Sequence, residues 1–282
     1  GTATEDQVLT AANTLADDDG LGTISYQWKR AGTAISGATS STYTLVQADV
    51  GSAITVTASY TDGQGTAESS TSSATSSVSN VNDAGTGLSL ASDGDVTDPD
   101  EGDALSVTGT LADEDGVTNA APTYVWKRDG TAISGATSSS YTLVQADVGT
   151  TTSVVISYTD DQSESNTITL TATSDVDNVN DDPTGSVTIS GTATEDQVLT
   201  AANTLADEDG LGTISYQWKR AGTAISGATS STYTLTQSDV GSAITVTASY
   251  TDAQGTAESS TSSATSAVAN VNDDPTGSVT IS

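Results

Sequence analysis

The sequence predicts an all-β chain of three β-sandwich domains in tandem, and three observations carry that reading. One unit recurs three times, its apolar residues alternate with period two, and no stretch sustains a period of 3.6 residues. The recurrence is marked by Trp28, Trp126 and Trp218, spaced 98 and 92 residues apart. Ile24–Ala38 reads ISYQWKRAGTAISGA, returns unchanged at Ile214–Ala228, and returns as TYVWKRDGTAISGA at Thr123–Ala136. Residues 1–83 match residues 191–273 with six substitutions, while the middle copy is more distant. Such a period is too long for a solenoid and suits a row of complete small domains. The expected boundaries are 1–83 for a first repeat without its first strand, 84–181, 182–273, and an orphan first strand of a following repeat at 274–282.

Along the first copy, apolar-polar alternation runs through SYQWK, STYTL and ITVTASYT, rich in the Thr, Val, Tyr and Ile that suit a pleated, half-buried surface. In the last of these, Ile54, Val56, Ala58 and Tyr60 share one face. DDDG at 17–20, AGT at 31–33, DVGS at 49–52 and TDGQG at 61–65 separate the runs, because Asp and Gly favour turns. Each copy of roughly 92 residues is therefore expected to form a seven-stranded antiparallel sandwich with one Trp in its core.

Composition narrows the chemistry. The 282 residues hold 6 Lys+Arg, 37 Asp+Glu, no His and no Cys, for a formal net charge of −31. Without His or Cys there is no Ser/His/Asp or Cys/His nucleophile, no zinc site of the usual ligands and no disulfide. The acidic balance argues against nucleic acid, which a basic footprint must hold. No run of 18 apolar residues or charged-apolar-small leader is present, so no membrane insertion and no signal peptide are expected. Large net charge and few large apolar residues match disordered chains, but the periodic placing of the apolar residues outweighs that prior.

The string W-K-R-x-G-T-x-I, followed by S-x-Y-T-L, A-D-V-G and S-Y-T-D, resembles the strand C tryptophan, strand E and E–F corner of an immunoglobulin-like domain. Over each copy the chain is most similar to the bacterial Ig-like/cadherin-like tandem repeats of giant secreted (RTX-type) adhesins. The resemblance implies immunoglobulin-like/cadherin-like sandwiches arranged end to end as a rod. Ig order puts strand A of the third copy at 184–190, B at 197–205, C at 213–219, E at 232–235, F at 243–250 and G from Glu258 toward Val268.

In that order the B–C loop and the F–G turn share one end of a domain, while the A–B turn lies at the other end beside the exit linker NVND. Joining two domains then gathers acids at one point, where a cation would relieve their repulsion. Calcium, a hard ion that takes six to eight oxygens, is the expected cofactor. The layout is similar to cadherin junctions, although Asn80 and Asn178 stand where the first linker acid would be. The first junction is expected to use Glu5, Asn80, Asn82, Asp83, Asp113, Asp115 and Asp160, and the second Glu101, Asn178, Asn180, Asp181, Asp207, Asp209 and Asp252. Asp17, Asp19 and Asp62 form one half-site, and Glu195 and Asp273 its mirror. The competing reading makes D-x-D-G and N-D-D-P plain solvated turns.

Trp28, Trp126 and Trp218 are read as core rather than sugar-stacking residues, and Lys29-Arg30 and its copies as a strand end paired with local acids rather than an anion patch. No catalytic residue is expected. The string PTGSVTIS at Pro183–Ser190 returns at Pro275–Ser282 with no domain after it. Either an excerpt of a longer array has been cut at a repeat boundary, or identical subunits assemble by strand complementation. The expected function is a structural spacer of an extracellular bacterial cell-surface adhesin, partnered by its neighbouring repeats and stiffened by calcium. The alternative is a self-assembling filament or sheath subunit that polymerises head to tail.

Overall fold

The computed structural model describes residues 1–281. Its first repeat carries β1 (Val8–Thr10), β2 (Ser25–Arg30), β3 (Thr33–Ala34), β4 (Thr42–Thr44), β5 (Ile54–Thr61) and β6 (Ala67–Thr71). They form two antiparallel sheets, β1-β4 and β3-β2-β5-β6. The middle repeat carries β7 (Thr86–Ser92), β8 (Ala104–Ala112), β9 (Thr123–Arg128), β10 (Thr131–Ala132), β11 (Ser140–Thr142), β12 (Thr152–Thr159) and β13 (Ser165–Thr171), ordered β11-β8-β7 and β10-β9-β12-β13. In the third repeat, β14 (Val187–Ser190), β15 (Val198–Asn203), β16 (Ser215–Arg220), β17 (Thr223–Ala224), β18 (Thr232–Thr234), β19 (Ile244–Thr251) and β20 (Ala257–Thr261) are ordered β14-β15-β18 and β17-β16-β19-β20. The fold is all-β and immunoglobulin-like, with A-B-E and C′-C-F-G sheets. Among the described residues no helix is long and apolar enough to cross a membrane.

The residues group into two compact units. Gly1–Val96, Leu105–Tyr141 and Thr152–Ala172 form one, and Thr97–Ala104, Thr142–Thr151 and the residues from Thr173 onward form the other. The first repeat therefore lies within one unit, the third within the other, and the middle repeat contributes to both.

Alternation in the sequence becomes burial in the sheet. On β19, Ile244, Val246, Ala248 and Tyr250 are all buried, with Val246 opposite Trp218 of β16. Each tryptophan is buried, and its indole N–H donates to a carbonyl twelve residues on: Trp28 to Ser40, Trp126 to Ser138 and Trp218 to Ser230, at 2.8–2.9 Å. Tyr43, Tyr141 and Tyr233 lie against these indoles with ring centroids 5.7–5.8 Å apart. The tryptophans are thus core residues with their one polar atom satisfied.

Strand G is shorter than expected: β20 ends at Thr261, although the expected strand continues toward Val268. The amides of β19 that a longer strand would engage are taken by side chains instead. Val246 N–H donates to Ser262 Oγ and Ile244 N–H to Thr265 Oγ1, both at 3.0 Å. Hydroxyls so close to the backbone compete with the ladder and let the chain leave the sheet. It returns at Val268, bridged to Val240.

The E–F corner explains the recurring arginine of the Lys-Arg strings and the aspartate of the D-V-G strings. Asp49 and Asp239 have no exposed surface and sit in short 3-10 turns, where Arg30 and Arg220 donate to them through Nε at 2.7 Å. Tyr43 and Tyr233 donate their hydroxyls to the same carboxylates at 2.8 Å.

Candidate metal centres

Two backbone features carry the acids to the repeat ends. The segment before strand B lies parallel to the exit segment of its own repeat, through bridges Thr4–Ser79, Asp100–Asp177 and Thr194–Ala269. This pins each glutamate beside the NVND linker: Glu5 N–H donates to Ser79 O, Glu101 N–H to Asp177 O and Glu195 N–H to Ala269 O, at 2.9–3.0 Å. The linker in turn offers its valine amides to these side chains, Val81 to Glu5 Oε2 at 3.3 Å and Val271 to Glu195 Oε2 at 3.1 Å. At the opposite end of a repeat the B–C loop meets the F–G turn, with Asp161 N–H donating to Gly116 O and Ala253 N–H to Asp209 O.

Within each D-E-D-G loop the two aspartates have different work. Gly116 and Gly210 adopt φ of +88° and +93°, a turn conformation that a side chain would strain. The first aspartate builds the loop: Asp113 Oδ1 accepts the Asp115 amide and Oδ2 the Tyr158 hydroxyl, while Asp207 binds the Asp209 amide and the Tyr250 hydroxyl in the same way. The second is 2 % exposed at both junctions and faces the linker. Asp115 Oδ2 accepts the Asp83 amide at 2.9 Å, and Asp209 Oδ2 the Asp181 amide at 2.7 Å. The other oxygen of each, Asp115 Oδ1 and Asp209 Oδ1, is buried without a hydrogen-bond partner, as is Glu101 Oε2.

The acids converge. One carboxylate oxygen from each of Glu5, Asp83 and Glu114 lies within 4.8 Å of the others, and Glu101, Asp181 and Asp209 make a second such group, which takes the last acid of its loop where the first takes the middle one. At such a spacing each pair of charges repels by between about 1 and 3 kcal/mol, depending on screening. Burial, opposed by the Val81 amide and reinforced by Asp83, Asp115 and Asp6, raises the pKa of Glu5. Burial and then Glu114, Asp115, Asp6 and Asp113 raise that of Asp83. Burial, Asp181 and Asp209 do the same for Glu101.

The pH dependence follows from these directions. Folded chains hold protons on Glu5, Asp83 and Glu101 at pH values where unfolded chains have released them, so without metal stability grows as pH falls toward the raised values. A chelated sample should melt at a higher temperature at pH 5 than at pH 7. Glu101→Gln should shrink that gain, and an undiminished gain in the variant would contradict the assignment.

The other expected residues lie around these groups. At the first junction Asn82 and Asn166 exchange amide hydrogen bonds, and Asn166 Nδ2 donates to Asp160 Oδ2 at 2.8 Å. Asp160 Oδ1 accepts the Gln162 and Glu164 amides, so both its oxygens are engaged. At the second, Glu258 replaces Asn166: Asn180 Nδ2 donates to Glu258 Oε1 at 3.1 Å, and Asp252 Oδ2, deprived of that donor, is buried without a partner. Asn80 Oδ1 is buried and unpartnered, whereas Asn178 Oδ1 accepts from Gln145 of its own repeat at 3.3 Å. The half-sites keep the local geometry: Asp17 binds the Asp19 amide and the Tyr60 hydroxyl, Asp62 binds the Gln64 and Thr66 amides, Glu195 is buried and Asp273 exposed.

Glu114 and Glu258 were not among the expected residues. Glu114 had a signal in the sequence, since the middle position of the loop is acidic in every copy, as Asp18, Glu114 and Glu208. Glu258 had none, because its place is not acidic in every copy: Glu68 stands there in the first and Asn166 in the middle one. The donor set is oxygen alone, several of its carboxylate oxygens are buried without a proton donor, and the charges crowd. All three features fit a hard divalent cation such as calcium and fit poorly any soft metal.

No protein-family profile matches the chain, and no curated protein matches it. Similar solved structures include a Ca2+-stabilised adhesin that helps an Antarctic bacterium bind ice, at 17 % identity over 92 % of this chain and 67 % of that one, TM-score 0.30. The tetra-tandem repeat of the extending region of a large adhesion protein is 19 % identical over 86 % of this chain and 66 % of that one, TM-score 0.27. Mouse cadherin-23 EC22-24 is 14 % identical over 96 % of this chain and 93 % of that one, TM-score 0.33.

Proposed function

We propose that the chain is a run of spacer repeats from an extracellular bacterial surface adhesin, in which calcium between consecutive repeats tightens each joint. The adhesin part of this reading rests on the resemblance in the W-K-R-x-G-T, S-x-Y-T-L and A-D-V-G strings. The calcium part rests on one observation: Asp115 Oδ1 and Asp209 Oδ1 are buried among other carboxylates with no hydrogen-bond partner. Glu5, Asp83, Glu114 and Asp115 would hold the first ion, and Glu101, Asp181 and Asp209 the second. Glu258, standing where the first junction has the neutral Asn166, adds negative charge to the second junction, which should bind calcium more tightly. Because only the folded chain assembles these groups, binding stabilises folding by mass action.

Calorimetric titration of the chelated chain with calcium is expected to resolve a tighter and a weaker class of site. Spin labels report stiffening directly, since the chain has no cysteine of its own. Labels at Thr39→Cys and Thr137→Cys, both exposed positions, should give a distance distribution that narrows on adding calcium. Absence of heat together with an unchanged distribution would refute the proposal.

A further inference from the structure

The two junctions share their parts and differ at one position on strand G. In the middle repeat the F–G turn is closed by Asp160, whose Oδ1 accepts the Gln162 and Glu164 amides and whose Oδ2 accepts from Asn166 Nδ2 at 2.8 Å. Asn166 reaches on to the linker, exchanging amide hydrogen bonds with Asn82 at 2.8 and 3.3 Å. Asp160 and Asn166 are 6 % and 7 % exposed, and both oxygens of this buried carboxylate have donors. The third repeat keeps the turn and loses the donor. Asp252 is also 6 % exposed, and its Oδ1 accepts the Thr256 amide at 2.8 Å, as Asp160 Oδ1 accepts that of Glu164. Opposite Tyr250 across the strands stands Glu258, where Asn166 stands opposite Tyr158. A carboxylate at this place offers no proton, so Asp252 Oδ2 is buried without a partner.

An anion left in that state is costly unless a cation meets it. Glu258 brings a second negative charge to the same turn. Burial, the Asp207 hydrogen bond and then the charges of Asp207, Glu258 and Asp252 raise the pKa of Tyr250, so both carboxylates lie close to one hydroxyl. The group of Glu101, Asp181 and Asp209 includes neither of them, and its three charges alone exceed what one divalent ion neutralises. We propose that the second junction takes a further divalent cation, held between Asp252 Oδ2 and the Glu258 carboxylate, in the place of the donor that Asn166 supplies at the first. Asn180 Nδ2 donates to Glu258 Oε1 at 3.1 Å; turning that amide over presents its oxygen to the ion, and water fills the remaining positions of a hard cation. The residue opposite the tyrosine thus sets how many ions a joint binds: an amide brings a proton donor and no charge, a carboxylate brings charge and no donor. The inference rests on the calcium reading of the junctions. Asn180 adjoins Asp181, so the new seat is complete only while the linker is held at the Glu101, Asp181 and Asp209 group, and Asp209→Asn should lose both ions.

The test counts calcium ions per intact chain by native mass spectrometry at saturating calcium. Comparing variants of one chain cancels any ions held elsewhere. Glu258→Asn, which copies the first junction, should bind one ion fewer than the wild type. So should Asp252→Asn, which keeps an oxygen for the Thr256 amide. Asn166→Glu, the reciprocal change, should bind one ion more. An undiminished count in Glu258→Asn or Asp252→Asn, with calcium still bound, means that water supplies the missing donor and overturns this inference alone. No gain in Asn166→Glu overturns the rule that this position sets the count. A wild type that binds no calcium overturns the inference together with the reading beneath it.

Discussion

Replacing Asp209 by Asn is expected to abolish the calcium-dependent stability of the second junction and leave that of the first intact. Asn preserves the shape and keeps an oxygen for the Asp181 amide, which Asp209 Oδ2 accepts at 2.7 Å. It removes the charge behind Asp209 Oδ1, the buried oxygen without a partner. At a calcium concentration 100 times the dissociation constant, one site contributes about 2.7 kcal/mol, and that is the amount the variant should forfeit. In chelator the sign reverses, because removing one charge from a crowded group relieves repulsion on Glu101 and Asp181. Asp115→Asn is the matching change at the first junction. Calorimetric melting of the wild type, each variant and the pair, with calcium and with chelator, separates the contributions. If the pair kept the full calcium-dependent rise in melting temperature, the junction acids would not be the site.

Asp239→Ala should destabilise the third repeat by about 3 kcal/mol, the lower end of the range for removing one partner of a buried ion pair, since a third of the Arg220 side chain is exposed. Asp239 accepts from Arg220 Nε, the Tyr233 hydroxyl, the Thr236 amide and the Thr236 hydroxyl at 2.7–2.9 Å. The alanine takes the acceptor from the half-buried Arg220 and Tyr233 donors. Asp49→Ala removes the same corner from the first repeat and should cost a similar amount, because the one extra bond in the third repeat comes from the hydroxyl of Thr236, an exposed residue that water can satisfy. Hydrogen exchange along β16 and β19 reads the local loss in the intact chain. Burial alone would raise the pKa of Asp239, but its hydrogen bonds from Arg220, Thr236 and Tyr233 outweigh that and lower it. The corner's stability is therefore present above the ordinary aspartate range and lost as pH falls through the lowered value, opposite in sign to the junction acids. Exchange that is no faster in Asp239→Ala than in wild type would show that the corner holds nothing.

The tryptophan core was legible because it is written in neighbouring residues; the sheet order was expected from the immunoglobulin resemblance, and of the corner only the pairing of the Lys-Arg strings with local acids was expected, the acid itself standing 19 residues away. Alternation assigns Ile244, Val246, Ala248 and Tyr250 to one face, and a buried indole needs only a nearby carbonyl, which Ser230 supplies. The length of strand G was not legible, since Ser262 and Thr265 read as ordinary strand residues until their hydroxyls are seen on the β19 amides. The acid sites were legible as a region and less so as a list. Asp113 and Asp115 look alike in a D-x-D string, yet Tyr158, more than forty residues away, occupies one and the linker leaves an oxygen of the other bare.

The sequence by itself determined that this chain repeats a β-sandwich three times, places its acids in turns, and ends in a second copy of a strand already used at Val187–Ser190. Those properties are local: periodicity, turn chemistry and identity of strings survive without knowledge of which residues meet. Only the tertiary structure decided which carboxylate oxygens lack a donor and that the Ser262 and Thr265 hydroxyls take the β19 amides. The reason is that hydrogen-bond satisfaction and burial are properties of what lies across from a group in space, and here the partners stand tens of residues away along the chain.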